Sequence, residues 1–393
     1  MRRTSIALLP LLAALGAVLG GCAAPVGAAA VSGAPAGTLQ PALSGVSCVS
    51  ASFCAAVGVR ADSVESPPVD VPLALSWNGT SWRETAVPLP RGQADGTLDG
   101  VSCVSASYCV AVGGYGSGGS GGPLAETWNG RAWTAAALPY PAGLDYVGIA
   151  AVSCAVARHC LVTFDGASGA VLTGATWTWR PEPLPKRSSV GALWGVSCVG
   201  AARCVLAGDF NRDYHDSPLF EWWNGRTFTA MKTGPYPGAP GSSIFINAVA
   251  CASARSCVAT GSIGSRLVVA RWNGATWSFA TLAAGKGFQD GLASVSCASP
   301  SSCLAVGQAV QRQAYHALAL SYDGRAWTAT SVPALPHGDL SELESVSCAS
   351  TSRCVAVGAG WSPGPPGPPG TPRSGLALIA SWNGKSWRLA AAP

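Results

Sequence analysis

Fourteen of the 15 cysteines fall into seven pairs of one spacing, C-x5-C. The pairs are Cys48 with Cys54, Cys103 with Cys109, Cys154 with Cys160, Cys198 with Cys204, Cys251 with Cys257, Cys297 with Cys303, and Cys348 with Cys354. Thiols so spaced have two chemistries open to them, a local disulfide or half of a four-thiolate zinc site. Zinc would need pairs from different repeats to meet, and seven pairs cannot be grouped by twos. Export into oxidising conditions, for which the N-terminus argues below, favours seven disulfides, each bridging one hairpin. Oxygen donors collect elsewhere. Asp209, Asn211, Asp213 and Asp216 lie in one polar stretch, and oxygens at alternate positions can turn toward a hard cation such as calcium. Tyr214 stands where an EF-hand loop needs glycine and Phe220 where it needs a bidentate glutamate, so a solvated acidic loop is the competing reading. No cofactor is otherwise required. His159, His215, His316 and His337 share no motif with a serine nucleophile or a metal partner, and the seven glutamates form no recurring pair. The chain reads as a non-enzyme.

The fifteenth cysteine closes the N-terminal stretch MRRTSIALLPLLAALGAVLGGC. Arg2 and Arg3 give a positive start, and Ile6 to Leu19 an apolar core of signal-peptide length, short for a membrane span. Leu19-Gly20-Gly21-Cys22 resembles the bacterial lipobox, in which the signal is cut before the cysteine and the thiol takes a diacylglycerol. That resemblance implies a signal peptide over residues 1–21 and a lipid on Cys22. It implies an extracytoplasmic protein anchored to the bacterial cell membrane, with an Ala/Gly/Pro-rich tether over 22–38.

Those cysteines need elements to position them, and the elements repeat. Successive first cysteines are 55, 51, 44, 53, 46 and 51 residues apart, a period of propellers and similar arrays. Each unit opens on V-x-C-x5-C, mostly VSC-x5-C, then an apolar run and, in six copies, glycine; Phe164 stands in the third. That glycine marks a bulge or a close backbone approach. A valine two residues before the first cysteine and a leucine or isoleucine five before it recur in all seven copies. Their offsets differ in parity, so bulky groups are expected on both faces of this strand. The second half carries W-N-G-x-x-W, as in Trp77-Asn78-Gly79 and Trp82. Asn-Gly between apolar residues predicts a type I′ hairpin that pairs Trp77 with Thr80 and sets Trp77 and Trp82 diagonally adjacent. Eleven of the 15 tryptophans occupy these two positions, and repetition there argues for packing between neighbouring units rather than for a ligand platform.

Four short strands per unit and seven units predict an all-β fold, a seven-bladed β-propeller of four-stranded antiparallel blades over 39–393. The blades fall at about 39–94, 95–145, 146–189, 190–241, 242–288, 289–339 and 340–393. The paired VSC-x5-C and WNG-x-x-W elements resemble secreted repeat proteins of actinobacteria, for which no settled activity follows. The spacing from first cysteine to first Trp position varies from 18 to 34 residues, whereas that to the next repeat holds at 25 to 28. Variation therefore sits between the second and third strands, and loops on a rigid scaffold are where binding is built. Tyr115, Tyr214, His215, Tyr315, His316 and Trp361 on those loops are the candidate binding residues. Because the loops do not repeat, one composite surface holding an envelope or extracellular protein is expected. A lectin-like glycan binder is the alternative. Only 11% of residues are charged, and the net charge of +5 makes no basic stripe, which argues against nucleic acid. A monomer is expected.

Overall fold

The computed structural model describes residues 40–393 apart from 63–68, 117–120, 141–147, 166–167, 182–184, 186–187, 189, 213, 239–241, 283–290, 312–313, 336–339, 362–374 and 393. Cys22, the signal and the tether lie outside the described residues. Seven antiparallel four-stranded sheets follow one another along the chain, and no helix is present among the described residues. In the first blade the strands are Gln40–Ser50, Phe53–Asp62, Val69–Trp77 and Trp82–Glu84, paired in chain order. The first strands of the seven blades neighbour one another in a closed ring, with the last blade against the first. The protein is a seven-bladed β-propeller.

The inner strand departs from the parity argument. Leu43 pairs with Gly58 and Gly45 with Val57, which leaves Ser44 unopposed. That one-residue bulge resets the alternation, so Leu43 and Val46 point the same way into one apolar cluster with Val357 and Ile379 of the last blade. The bulge recurs in every blade. It is the second strand that is buried on both faces: Ala55 and Val57 pack toward the second blade, Ala56 toward the seventh. The recurring glycine explains itself here. A Cβ on Gly58 would overlap the carbonyl oxygen of Ala42, and five further glycines meet the same clash. Blade three differs, with Phe164 at this position opposite Ile149. Phe164 there is fully buried against Trp179 at 5.3 Å and Tyr140 at 6.0 Å.

One rung crosses each whole blade. In the first it runs Cys48, Cys54, Trp77, Trp82, each residue directly opposite the next. All seven expected disulfides are formed, each between the inner strand and the second strand of its own blade. Cys48 is bonded to Cys54, Cys103 to Cys109, Cys154 to Cys160 and Cys198 to Cys204. Cys251 is bonded to Cys257, Cys297 to Cys303 and Cys348 to Cys354. The second cysteine of each pair sits on the doubly packed strand and is the more buried: Cys54, Cys109, Cys160, Cys204, Cys257, Cys303 and Cys354 are each at most 3% exposed. Trp77 and Trp82 are direct partners, 5.6 Å between ring centres, and not diagonal ones. The expected type I′ turn is absent. Gly79 has φ +98°, but Asn78 keeps a negative φ and accepts the backbone N–H groups of Thr80 and Ser81 on its Oδ1. An asparagine that caps two amides closes a four-residue loop, which shifts the register by two residues. Asp323 does the same in blade six.

The tryptophans tie blade to blade. Trp133 donates its indole N–H to Thr85 Oγ1 of the preceding blade at 3.1 Å, Trp387 to Thr330 Oγ1 at 3.0 Å, and Trp277 stacks on Phe220 at 4.0 Å. The serine of VSC has a similar task. Ser47 Oγ accepts the backbone N–H of Cys103 in the next blade at 2.9 Å. Ser102, Ser153, Ser197, Ser296 and Ser347 repeat this bond, the last reaching Cys48 and closing the ring. Ala250 breaks the girdle between blades five and six.

Candidate functional site

Antiparallel strands put the loops between second and third strands at one end of the barrel-like ring, together with the starts of the inner strands. The disulfide hairpins and Asn-Gly turns lie at the other end. At the loop end the bulge position, four residues before the first cysteine, is free of both the disulfide and the packing constraints. It holds Ser44, Asp99, Ala150, Trp194, Asn247, Ala293 and Glu344 around the channel. The residues there bond across rather than along the strand. Asn247 donates Nδ2–H to the carbonyl oxygen of Leu292 in the next blade at 3.0 Å, and Trp194 donates its indole N–H to Asp209 Oδ1 at 3.1 Å.

Carboxyls of three blades lie toward this end of the ring with no salt-bridge partner among the described residues. Burial pushes Asp99 up to about 6, opposed by a bond from Thr97. Burial raises Asp209 to about 7, against the Trp194 bond and helped by the charge of Asp216. Glu344 is pushed up to about 8 by burial and then by Glu342, with which it shares a hydrogen bond; burial raises Glu342 too. Burial and the shared hydrogen bond thus both favour a proton held between the two carboxyls. A mouth lined this way can ionise when a cation arrives, and so favours a positively charged group.

The loop residues expected to bind are scattered around this mouth. Tyr214 is 95% exposed and has φ +66°, a left-handed conformation costly for a tyrosine and one that holds its ring out into solvent. His215 is exposed beside it, opposite Arg212. Tyr315 is exposed and His316 faces Ala309 on the sixth hairpin. Tyr115 instead folds back, partly buried against its own blade, and Trp361 is half-buried opposite Leu340. Of the calcium candidates, Asp209 and Asn211 share one face of a strand and Asp216 pairs with Asn211, whose Nδ2 donates to Asp216 Oδ1 at 3.0 Å. Asp213 lies outside the described residues, and among those described no group of three or more His, Cys, Asp or Glu is placed to hold a metal. Asp99, Glu342 and Glu344 escape sequence reasoning. For Asp99 and Glu344 the signal is the bulge offset, visible only once the register is known.

Among solved structures the chain is similar to YCF48 bound to D1 peptide, with a TM-score of 0.52 at 11% identity over 83% of this chain and 92% of that one. It is similar to YCF48 from Cyanidioschyzon merolae, TM-score 0.52 at 15% identity over 83% and 95%. It also resembles the GH74 xyloglucanase from Xanthomonas campestris, TM-score 0.54 at 14% identity, over 88% of this chain but 59% of that one. Likeness at these identities shows the propeller fold alone. No protein-family model matches the chain, and no curated protein matches it.

Proposed function

We propose that this protein is an extracytoplasmic scaffold, anchored through a lipid on Cys22, whose loop face holds a basic segment of a protein partner. The observation that carries the reading is the loop end of the ring, where Asp99, Asp209 and the Glu342–Glu344 pair sit in three blades with no salt bridge among the described residues, among unlike loops. A lysine or arginine entering it would relieve the cost of ionising those carboxyls. Seven disulfides fit an oxidising compartment outside the cytoplasm, and a propeller of this fold has been solved with a peptide bound. The hydrogen-bonded Glu342–Glu344 pair is too close to flank a glycosidic bond, which needs carboxyls at least about 5 Å apart, and this favours binding over glycoside hydrolysis. The test is an array of peptides and glycans probed with the chain from Ser32 onward, wild type against the double variant Asp99→Asn with Glu344→Gln. Lysine- and arginine-rich peptides should be retained by the wild type and lost by the double variant. Saturable binding to sugars, or peptide binding that ignores the two substitutions, would overturn the proposal.

A further inference from the structure

The opposite end of the ring carries the other sign of charge. Its surface is built from the turns of the disulfide hairpins and the Asn-Gly loops, which touch within each blade: a Cβ on Gly274 would meet Arg255, one on Gly225 Ala202, one on Gly384 Ser352. These turns and the pairs that close them hold Arg131, Arg158, Arg203, Arg226, Arg255, Arg325, Arg353 and Lys385, all exposed. One acidic residue, Asp323, is among them, and no salt bridge among the described residues engages any of the eight. A net charge of +5 thus conceals a turn face on which eight exposed cations accompany one acid. The reading of no basic stripe holds along the chain but not in space, because a period of about 50 residues brings one position of every repeat to one side.

We infer that this turn face docks on an anionic phospholipid surface. The cations stand on hairpin tips around six of the seven blades and line no groove, so a plane of phosphates meets many of them at once. A linear polyanion would follow only an arc of the ring. Seven of the eight are arginines, whose planar forks take phosphate oxygens in pairs. Val156, 48% exposed at the tip of the third hairpin beside Arg158, adds an apolar group at the depth of the headgroups. The inference does not depend on the lipid.

The test uses the chain from Ser32 onward, which contains the closed ring and no lipid site. Sedimentation is measured with vesicles of phosphatidylcholine alone and of equal parts phosphatidylcholine and phosphatidylglycerol. Binding is expected only to the second and should fall with salt. A fourfold variant carries Arg203→Ser, Arg226→Ser, Arg353→Ser and Lys385→Ser; serine already stands at the positions of Arg203 and Arg353 in two sister repeats, as Ser256 and Ser302. It should lose about fivefold in affinity for each cation removed. Arg212→Ser, on the loop face, should bind as the wild type does. Circular dichroism confirms that each variant is folded. Equal losses in both variants, no preference for phosphatidylglycerol, or tight binding to soluble polyphosphate or duplex DNA with none to vesicles would each overturn the inference. None of these outcomes bears on the loop face, which the peptide array tests separately.

Discussion

Replacing Glu126 with leucine should stabilise the propeller, and increasingly so as pH rises. Glu126 is 0% exposed between blades one and two, and neither carboxyl oxygen has a hydrogen-bond partner among the described residues. Five sister repeats pack an apolar residue at this place, Leu75, Leu320, Ala170, Ala270 and Ala380, and the sixth repeats the buried glutamate as Glu221. Burial alone pushes the Glu126 carboxyl from 4.5 to about 8. The folded state therefore keeps a proton that the unfolded chain releases. Its stability is fully present below pH 4.5 and is lost as pH climbs through about 8. Working the linkage through, the loss is at most about 3 kcal/mol at pH 7 and about 5 kcal/mol by pH 9. In a ring of this size a loss of about 3 kcal/mol corresponds to roughly 4 °C in Tm. Differential scanning calorimetry of wild type and Glu126→Leu at pH 5, 7 and 9 reads this directly, with the gap small at pH 5 and widening upward. A gap that stays constant with pH would refute the reasoning, since a packing effect carries no proton.

The girdle makes its own predictions. Ser47→Ala strands the Cys103 amide and should cost about 1–3 kcal/mol, while Ala250→Ser supplies the missing hydroxyl opposite Cys297 and should gain about 1 kcal/mol; chemical denaturation measures both. Mass spectrometry of unreduced protein from Ser32 onward should find no free thiol. Removing one pair by Cys48→Ala with Cys54→Ala should cost about 2 kcal/mol, because the loop it closes is short.

What the sequence disclosed and what it hid divide along a physical line. Features that repeat were legible. The C-x5-C pairs and the Trp positions recur seven times in near-constant register, so periodicity yields blade number and strand count and, with the expectation of export, the disulfides. Features set by backbone detail were not. Counting alternation from Leu43 to Val46 assumes an unbroken strand, and the bulge at Ser44 reverses the result. Asn78-Gly79 reads as a two-residue turn until the asparagine side chain is seen capping two amides. The channel carboxyls were hidden for a further reason. Asp99 and Glu344 occupy the one offset in the repeat that packing leaves free, so they look like noise beside Ser44, Ala150 and Ala293. The turn-face cations were equally dispersed in sequence, and only the ring gathers them.

The contacts that join blade seven to blade one are of the same kind as those that join any other neighbours: a serine hydroxyl to a cysteine amide, and a valine and leucine set into the adjoining sheet. No strand is exchanged to lock the joint, since each blade is a contiguous run of chain. The ring is thus closed like a clasp with seven interchangeable catches, and it has no structural beginning. A circularly permuted chain, opened in the 85–95 crossover and rejoined by a linker of that length between the outer strand of blade seven and the inner strand of blade one, would build the same ring. The place where the clasp should open first is set by chemistry instead of by the chain ends, at the joint where Ala250 offers no hydroxyl.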